Sequence, residues 1–171
     1  FSVARDTGLL SEGSYLVNRG PGEFSVDISG SQVFMRQQDY QEFVLDSFAV
    51  EEVREKVFRS GLGKPTAMVI GYTGVRFLLV HLPAESLLAE VEISREELYR
   101  FSEKHDLVGM YVFAEKEGAQ EDQGERAPAP VISARMFAPY YGIEEESATG
   151  MAAGPAAHYL MSREYVRAAR F

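Results

Sequence analysis

The stretch from Arg135 to His158 holds the residue types most able to do chemistry. A strand ending at Pro139 is followed by an acidic loop, and a helix rich in small residues begins near Thr149. Thr149 is a good N-cap, so Gly150 and Met151 would present backbone amides without intrahelical partners. Those donors, with the positive end of the helix, suit a carboxylate or phosphate. Glu144, Glu145 and Glu146 lie just ahead, where the same field favours negative charge. The plain alternative stays open: Thr149 merely caps a buried helix and the glutamates merely favour its dipole, because caps far outnumber active sites.

Other constellations are weaker. His81, His105 and His158 show neither i, i+4 nor carboxylate-helix spacing, so no metal site is expected. His158 is expected in the core or an interface, and His81 and His105 at the surface. No Gly-x-Ser-x-Gly elbow, P-loop or dinucleotide fingerprint occurs. The Phe and Tyr residues recur at strand and helix spacing and are assigned to the core.

The elements that must position the acidic segment follow from periodicity. Gly150, Ala152, Ala153, Gly154, Ala156 and Ala157 leave their helix almost without side chains, which makes sense where strands crowd it on several sides. Pro155 would remove one backbone bond there. Residues Phe1 to Leu10 read as the end of a helix with Gly8 as C-cap, and Ser11 to Ser14 as a polar turn. Glu23–Ile28 alternates with period two, and Gly30-Ser31 turns it into Gln32–Arg36 as a hairpin. Phe48–Ser60 carries Val50, Val53, Val57 and Phe58 on one helical face, with Gly61 and Gly63 ending it. Thr66–Tyr72 and Arg76–Leu82 form a second strand pair around Thr73-Gly74. Ser94-x-x-Glu97 has the form of a capping box opening a helix with Leu98 and Phe101 inward. Gly109–Ala114 and Val131–Ala138 are two more strands, joined by a charged loop over 115–130 that is expected to be a mobile hairpin connection. The order hairpin, helix, hairpin, helix, hairpin, helix predicts an α+β fold with mainly antiparallel pairing.

Composition narrows the function classes. The 171 residues, 46% hydrophobic and 25% charged, suffice for one ordinary domain and exclude wholesale disorder. Absence of cysteine removes disulfides, thiolate metal sites and cysteine nucleophiles, and fits a reducing, cytoplasmic address. A net charge of −9 without a Lys or Arg run argues against nucleic acid as a partner. No apolar run approaches bilayer-spanning length and no signal peptide is recognised, so no membrane partner is expected. A start at Phe1 and an end at Phe171 suggest a piece of a longer polypeptide.

Arg135-Met-Phe-Ala-Pro139, followed by Gly142-Ile143-x-Glu145-Glu146-Ser147-Ala148-Thr149-Gly150-x-Ala152, resembles the signature of the phenazine-biosynthesis isomerase (PhzF-like) family. That signature reads R-x-F-x-P, then G-x-x-E-D-P-A-T-G-S-A. The resemblance extends over most of residues 15–165. It implies a diaminopimelate-epimerase-like fold of two lobes, each an antiparallel barrel-like sheet wrapped around a central helix, with the active site between them. Residues 1–14 would be a remnant of the preceding lobe or a linker. Residues 15–171 would be the second lobe, lacking its last strand.

What the resemblance implies for function is a cofactor-independent isomerase or epimerase of a small carboxylated metabolite, often homodimeric. In that reading Glu146 is the catalytic-site carboxylate of this half, and Glu145, Thr149, Gly150 and Met151 bind substrate, with no metal. The principal acid/base glutamate and a Gly-His-x-Thr motif would come from the missing first lobe. Two departures stand out: Glu146 replaces Asp, reaching about one methylene further, and Met151 replaces Ser. Ser147 also replaces Pro. These changes motivate an alternative, a non-catalytic descendant that binds a ligand or partner. A third reading is a structural half that pairs with itself through an apolar face.

Overall fold

Short apolar runs separated by glycine-containing turns set the architecture, seen in a computed structural model that describes residues 8, 10–19, 22–59, 65–116, 131–146 and 149–163. The chain divides into two units, residues 1–38 and 39–171.

In the first unit β1 (Gly13–Arg19), β2 (Gly22–Ser29) and β3 (Gln32–Met35) form an antiparallel sheet in the order β1-β2-β3. The expected hairpin is β2–β3. Gly30 turns it at φ 54, a conformation glycine adopts without steric cost. Strand β1 replaces much of the expected polar turn: Ser14 pairs opposite Asp27 and its hydroxyl bonds that carboxylate.

In the second unit six strands form a sheet in the order β4 (Gln41–Val44), β5 (Ala67–Tyr72), β6 (Arg76–His81), β7 (Gly109–Glu115), β8 (Ile132–Ala138) and β9 (Ile143–Glu146). All neighbours are antiparallel except β6 and β7. That parallel pair needs a long crossover, which runs through a 3-10 segment, Glu85–Glu90, and a helix. The fold is α+β, and among the described residues the sheet is open rather than closed into a barrel.

Helices cover both faces. Helix α1 (Ser47–Glu52) starts at Asp46, whose carboxylate accepts from Ala49 N at 2.7 Å. It widens into a π-turn over Val53–Val57. It stops short of Ser60 because Phe58 leaves in extended conformation and bridges Ile93, with Ser94 N donating to Val57 O at 2.7 Å. Helix α2 (Arg95–His105) begins at Ser94, whose hydroxyl accepts from Glu97 N at 3.5 Å. The reciprocal half of the capping box does not form: the Ser94 amide is already taken by Val57, and the Glu97 carboxylate pairs with Arg100. Val53, Val57, Leu98 and Phe101 from these helices pack on Ile70, Leu78, Val80, Met110 and Val112.

Helix α3 (Gly150–Ser162) takes the opposite face, setting Ala152, Ala156, Tyr159 and Leu160 on Val69, Phe77, Leu79, Tyr111 and Phe113. Helix and sheet approach closely at Pro155: a Cβ on Gly71 of β5 would lie 2.6 Å from Leu79 Cδ1 and 3.0 Å from the Cβ of Pro155. The several-sided enclosure expected for this helix is not seen among the described residues. Its outer side, including Met151, Ala157 and His158, is exposed. Strand β6 is buried almost throughout because helices lie on both sides of it, which explains an apolar run without alternation.

The helix end expected over Phe1–Leu10 falls almost wholly outside the described residues, as do Gly61, Gly63 and the loop 117–130. No helix among the described residues is long and apolar enough to cross a membrane.

Candidate functional site

Strand β9 and the start of α3 bring the sequence-selected residues together. The three glutamates of β9 are all exposed, yet each has a different partner. Glu144 pairs with Arg95 in the first turn of α2. Glu145 is held by Arg135 in a two-pronged bond, Nε to Oε1 at 2.7 Å and Nη2 to Oε2 at 2.9 Å. That guanidinium keeps the Glu145 carboxyl below the ordinary carboxylate range. Glu146 accepts from the Thr149 hydroxyl at 2.8 Å and has no cationic partner among the described residues.

The N-cap expectation for Thr149 needs revision. Thr149 occupies the N-cap position, but its side chain makes no capping bond because its hydroxyl is spent on Glu146. The helix closes through its carbonyl, which accepts from Ala152 N and Ala153 N at 3.2 and 3.0 Å. Gly150 and Met151 therefore occupy the first turn ahead of the first intrahelical donor. Met151 is exposed, and a Cβ added at Gly150 would meet nothing within 4 Å. The arrangement places one carboxylate, without a positive partner among the described residues, beside the electropositive end of a helix, on an open surface.

Arg135 carries more of the local structure than its place in the motif announced. Besides Glu145, its Nη1 donates to the carbonyls of Leu88 and Val91 at 2.8 and 2.9 Å, and its guanidinium lies 5.1 Å from the Phe137 ring. Ser133, two residues back on the same face of β8, donates to Glu85 at 2.5 Å. Leu88 and Val91 lie at the C-terminal end of the 3-10 segment, where carbonyls run out of helical donors, and Arg135 adds a donor to each. A cation inside a mostly apolar strand was the available signal, and without the fold its partners could not be named.

The histidines depart from their expected environments. His81 is buried rather than surface-exposed, stacked on Phe113 at 5.0 Å and edge-on to Tyr159 at 5.7 Å, because β6 is central and covered. His105 is half-buried against Phe101 at 4.3 Å. Burial lowers the pKa of both. His158 is exposed, not in the core, and lies parallel to Tyr40 at 5.5 Å. Several aromatic residues given to the core are exposed as well, including Phe48, Tyr140 and Tyr141. Among the described residues no three His, Asp or Glu side chains converge as metal ligands would.

An open α+β sheet with a slim helix set behind a Glu-x-x-Thr-Gly corner defines the class, and comparison with known proteins gives the family. The profile described as "Phenazine biosynthesis-like protein" matches residues 40–170, so the chain belongs to that family. Among solved structures, a PhzF-family phenazine biosynthesis protein of Bacillus anthracis is similar with a TM-score of 0.70 and 19% identity, over 94% of this chain and 54% of that one. A predicted epimerase from Pseudomonas aeruginosa gives 0.62 and 19%, over 99% and 56%. A PhzF-family protein of Enterococcus faecalis gives 0.58 and 17%, over 95% and 54%. At these identities the likeness concerns the fold, which is that of the PhzF and diaminopimelate-epimerase-like proteins. The chain spans about half the length of these relatives. No curated protein matches it significantly.

Proposed function

We propose that this chain supplies one half of the active site of a cofactor-independent isomerase or epimerase acting on a small carboxylated metabolite. Residues 15–171 are read as the second lobe, with residues 1–14 as a remnant of the first or a linker. A cytoplasmic, homodimeric protein is part of the same reading. Family membership and a match to about half of each relative's length support the assignment of one lobe.

The observation that carries the reading is the difference among three adjacent glutamates. Glu144 and Glu145 are neutralised by Arg95 and Arg135, whereas Glu146 is oriented, among the described residues, only by the neutral Thr149 hydroxyl. A carboxylate held this way keeps one oxygen for a substrate proton or hydroxyl. The substrate carboxylate would bind the amides of Gly150 and Met151 at the helix start. Glu145 contributes by fixing β9 to Arg135, and Thr149 by aiming Glu146. The proton-transferring partner comes from the other lobe.

A titration of the full-length, nitrogen-15-labelled protein with acetate, malonate and anthranilate tests the anion site. Saturable shifts of the Gly150 and Met151 amides are expected, and amides unmoved by all three acids end that role. Met151, exposed where the family has Ser, favours the second reading, a non-catalytic ligand- or partner-binding protein. Deuterium exchange into a turned-over substrate that is lost in Glu146→Gln supports the enzyme, and binding without exchange supports the alternative.

A further inference from the structure

A cavity of about 450 Å³ opens at the end of the six-stranded sheet and shares no residue with the Glu146–Met151 site. Its wall includes Phe43 of β4, Tyr72 closing β5, Arg76 opening β6, Asp106 just after α2, and Tyr141. The volume lies within the range of small-molecule sites, roughly 300–1,000 Å³.

Two opposite charges stand at this cavity. The Arg76 guanidinium lies 5.2 Å from the Phe43 ring, and its Nη1 reaches Asp106 Oδ2 at 3.3 Å. Among the described residues no other side-chain acceptor engages that fork, which can offer five N–H donors. The Asp106 carboxylate is 92% exposed, so the pair adds little to stability. Yet Asp106 is the sole non-glycine residue with positive φ among the described residues, at φ 54. It occupies the αL C-cap of α2, where glycine is the ordinary occupant. Glycine would relieve the backbone there but would remove the carboxylate from the cavity wall.

We propose that this cavity binds an aromatic α-amino acid, its carboxylate on the open edge of Arg76, its ammonium on Asp106 and its ring among Phe43, Tyr72 and Tyr141. The charge pattern selects a zwitterion. A plain anion on Arg76 would sit beside the Asp106 carboxylate, and a plain cation on Asp106 would sit beside the guanidinium. A molecule carrying both groups completes both ends, and the aromatic wall takes its body.

Calorimetric titration of the full-length protein with L-tryptophan tests this, using 3-indolepropionate and tryptamine as probes that each lack one charge. Tryptophan is expected to bind about tenfold more tightly than either. Arg76→Gln and Asp106→Asn should each weaken it by about tenfold. Asparagine tolerates the αL conformation, so an unchanged melting profile for Asp106→Asn keeps lost binding separate from lost fold. Glu146→Gln should leave tryptophan binding unchanged. Absence of binding at millimolar tryptophan overturns the proposal, as does equal affinity for 3-indolepropionate or full binding by Asp106→Asn. Binding lost in Glu146→Gln but kept in Arg76→Gln places the ligand at the helix start and also overturns it. Failure of this proposal leaves the shifts of the Gly150 and Met151 amides with acetate, malonate or anthranilate still to be read, and their absence leaves tryptophan binding at Arg76 and Asp106 untouched, so the two readings fail separately.

Discussion

On one face of the six-stranded sheet, α1 and α2 lay Val53, Val57, Leu98 and Phe101 onto Ile70, Leu78, Val80 and Met110. On the other, α3 lays Ala152, Ala156 and Tyr159 onto Val69, Phe77, Leu79 and Phe113. The first face uses bulky side chains on both partners. The second sets alanines among the strand side chains and Pro155 against Gly71, so the helix comes close to β5. The difference separates two jobs. Bulk on the first face makes stability, while the second face fixes α3 on β5 and β6, and with it the helix start where Thr149 meets Glu146.

Adjacent leucines on β6 offer the largest test, since Leu78 faces α2 and Leu79 faces α3 with almost equal burial. Leu78→Ala and Leu79→Ala should each cost about 2–5 kcal/mol in chemical denaturation. Only Leu79→Ala should also move the Gly150 and Met151 amide signals. Equal perturbation of those amides by both variants would break the division between the faces.

Arg135→Lys comes next, because lysine cannot serve Glu145 in two prongs while also reaching the Leu88 and Val91 carbonyls. A loss of about 2 kcal/mol is expected by denaturation. A stability unchanged from the parent would remove Arg135 from its place as the tie between β8, β9 and the 3-10 segment.

A smaller effect is expected from acid. Burial lowers the pKa of His81 from 6.5, so below that pH the unfolded chain binds a proton that the folded chain refuses. The stability tied to this difference is complete above about pH 6.5 and is lost as pH falls. His105 acts with the same sign. His81→Phe, which keeps an aromatic ring between Phe113 and Tyr159, should flatten the fall in melting temperature as pH drops below about 6.5 without abolishing it. An unaltered slope would show that His81 takes up its proton without unfolding.

The smallest change in stability should come from the site itself. Glu146→Gln and Thr149→Val lie at an exposed corner and should shift unfolding by no more than about 0.5–1 kcal/mol. Both should reduce turnover of any substrate found for the full-length protein, Glu146→Gln the more severely. A large stability loss in either would make the corner a structural latch instead.

Several elements were legible because their signals are local. The β2–β3 hairpin, the β5–β6 pair, the Ser94 start of α2 and the strands β7 and β8 each show alternation, a turn glycine or a cap within a few residues. Strands β1 and β4 have no such mark, and β4 pairs only because β5 offers it an edge. At the site, the motif gave the neighbourhood of Glu146, Thr149, Gly150 and Met151 but not the division of labour among the glutamates. That division depends on Arg95, 49 residues from Glu144, and on how Arg135 faces Glu145 across the β8–β9 pair.

Sequence alone determined the α+β class, the order of the main elements and the corner at which the conspicuous chemistry gathers. Periodicity, turn residues and one long motif are properties of neighbours in the chain. Only the tertiary structure decided that His81 is buried, that Thr149 serves Glu146 instead of capping its helix, and that Arg76 and Asp106 face one cavity. Those outcomes depend on which distant backbone arrives to cover a ring, accept a proton or oppose a charge, and no local pattern encodes that arrival.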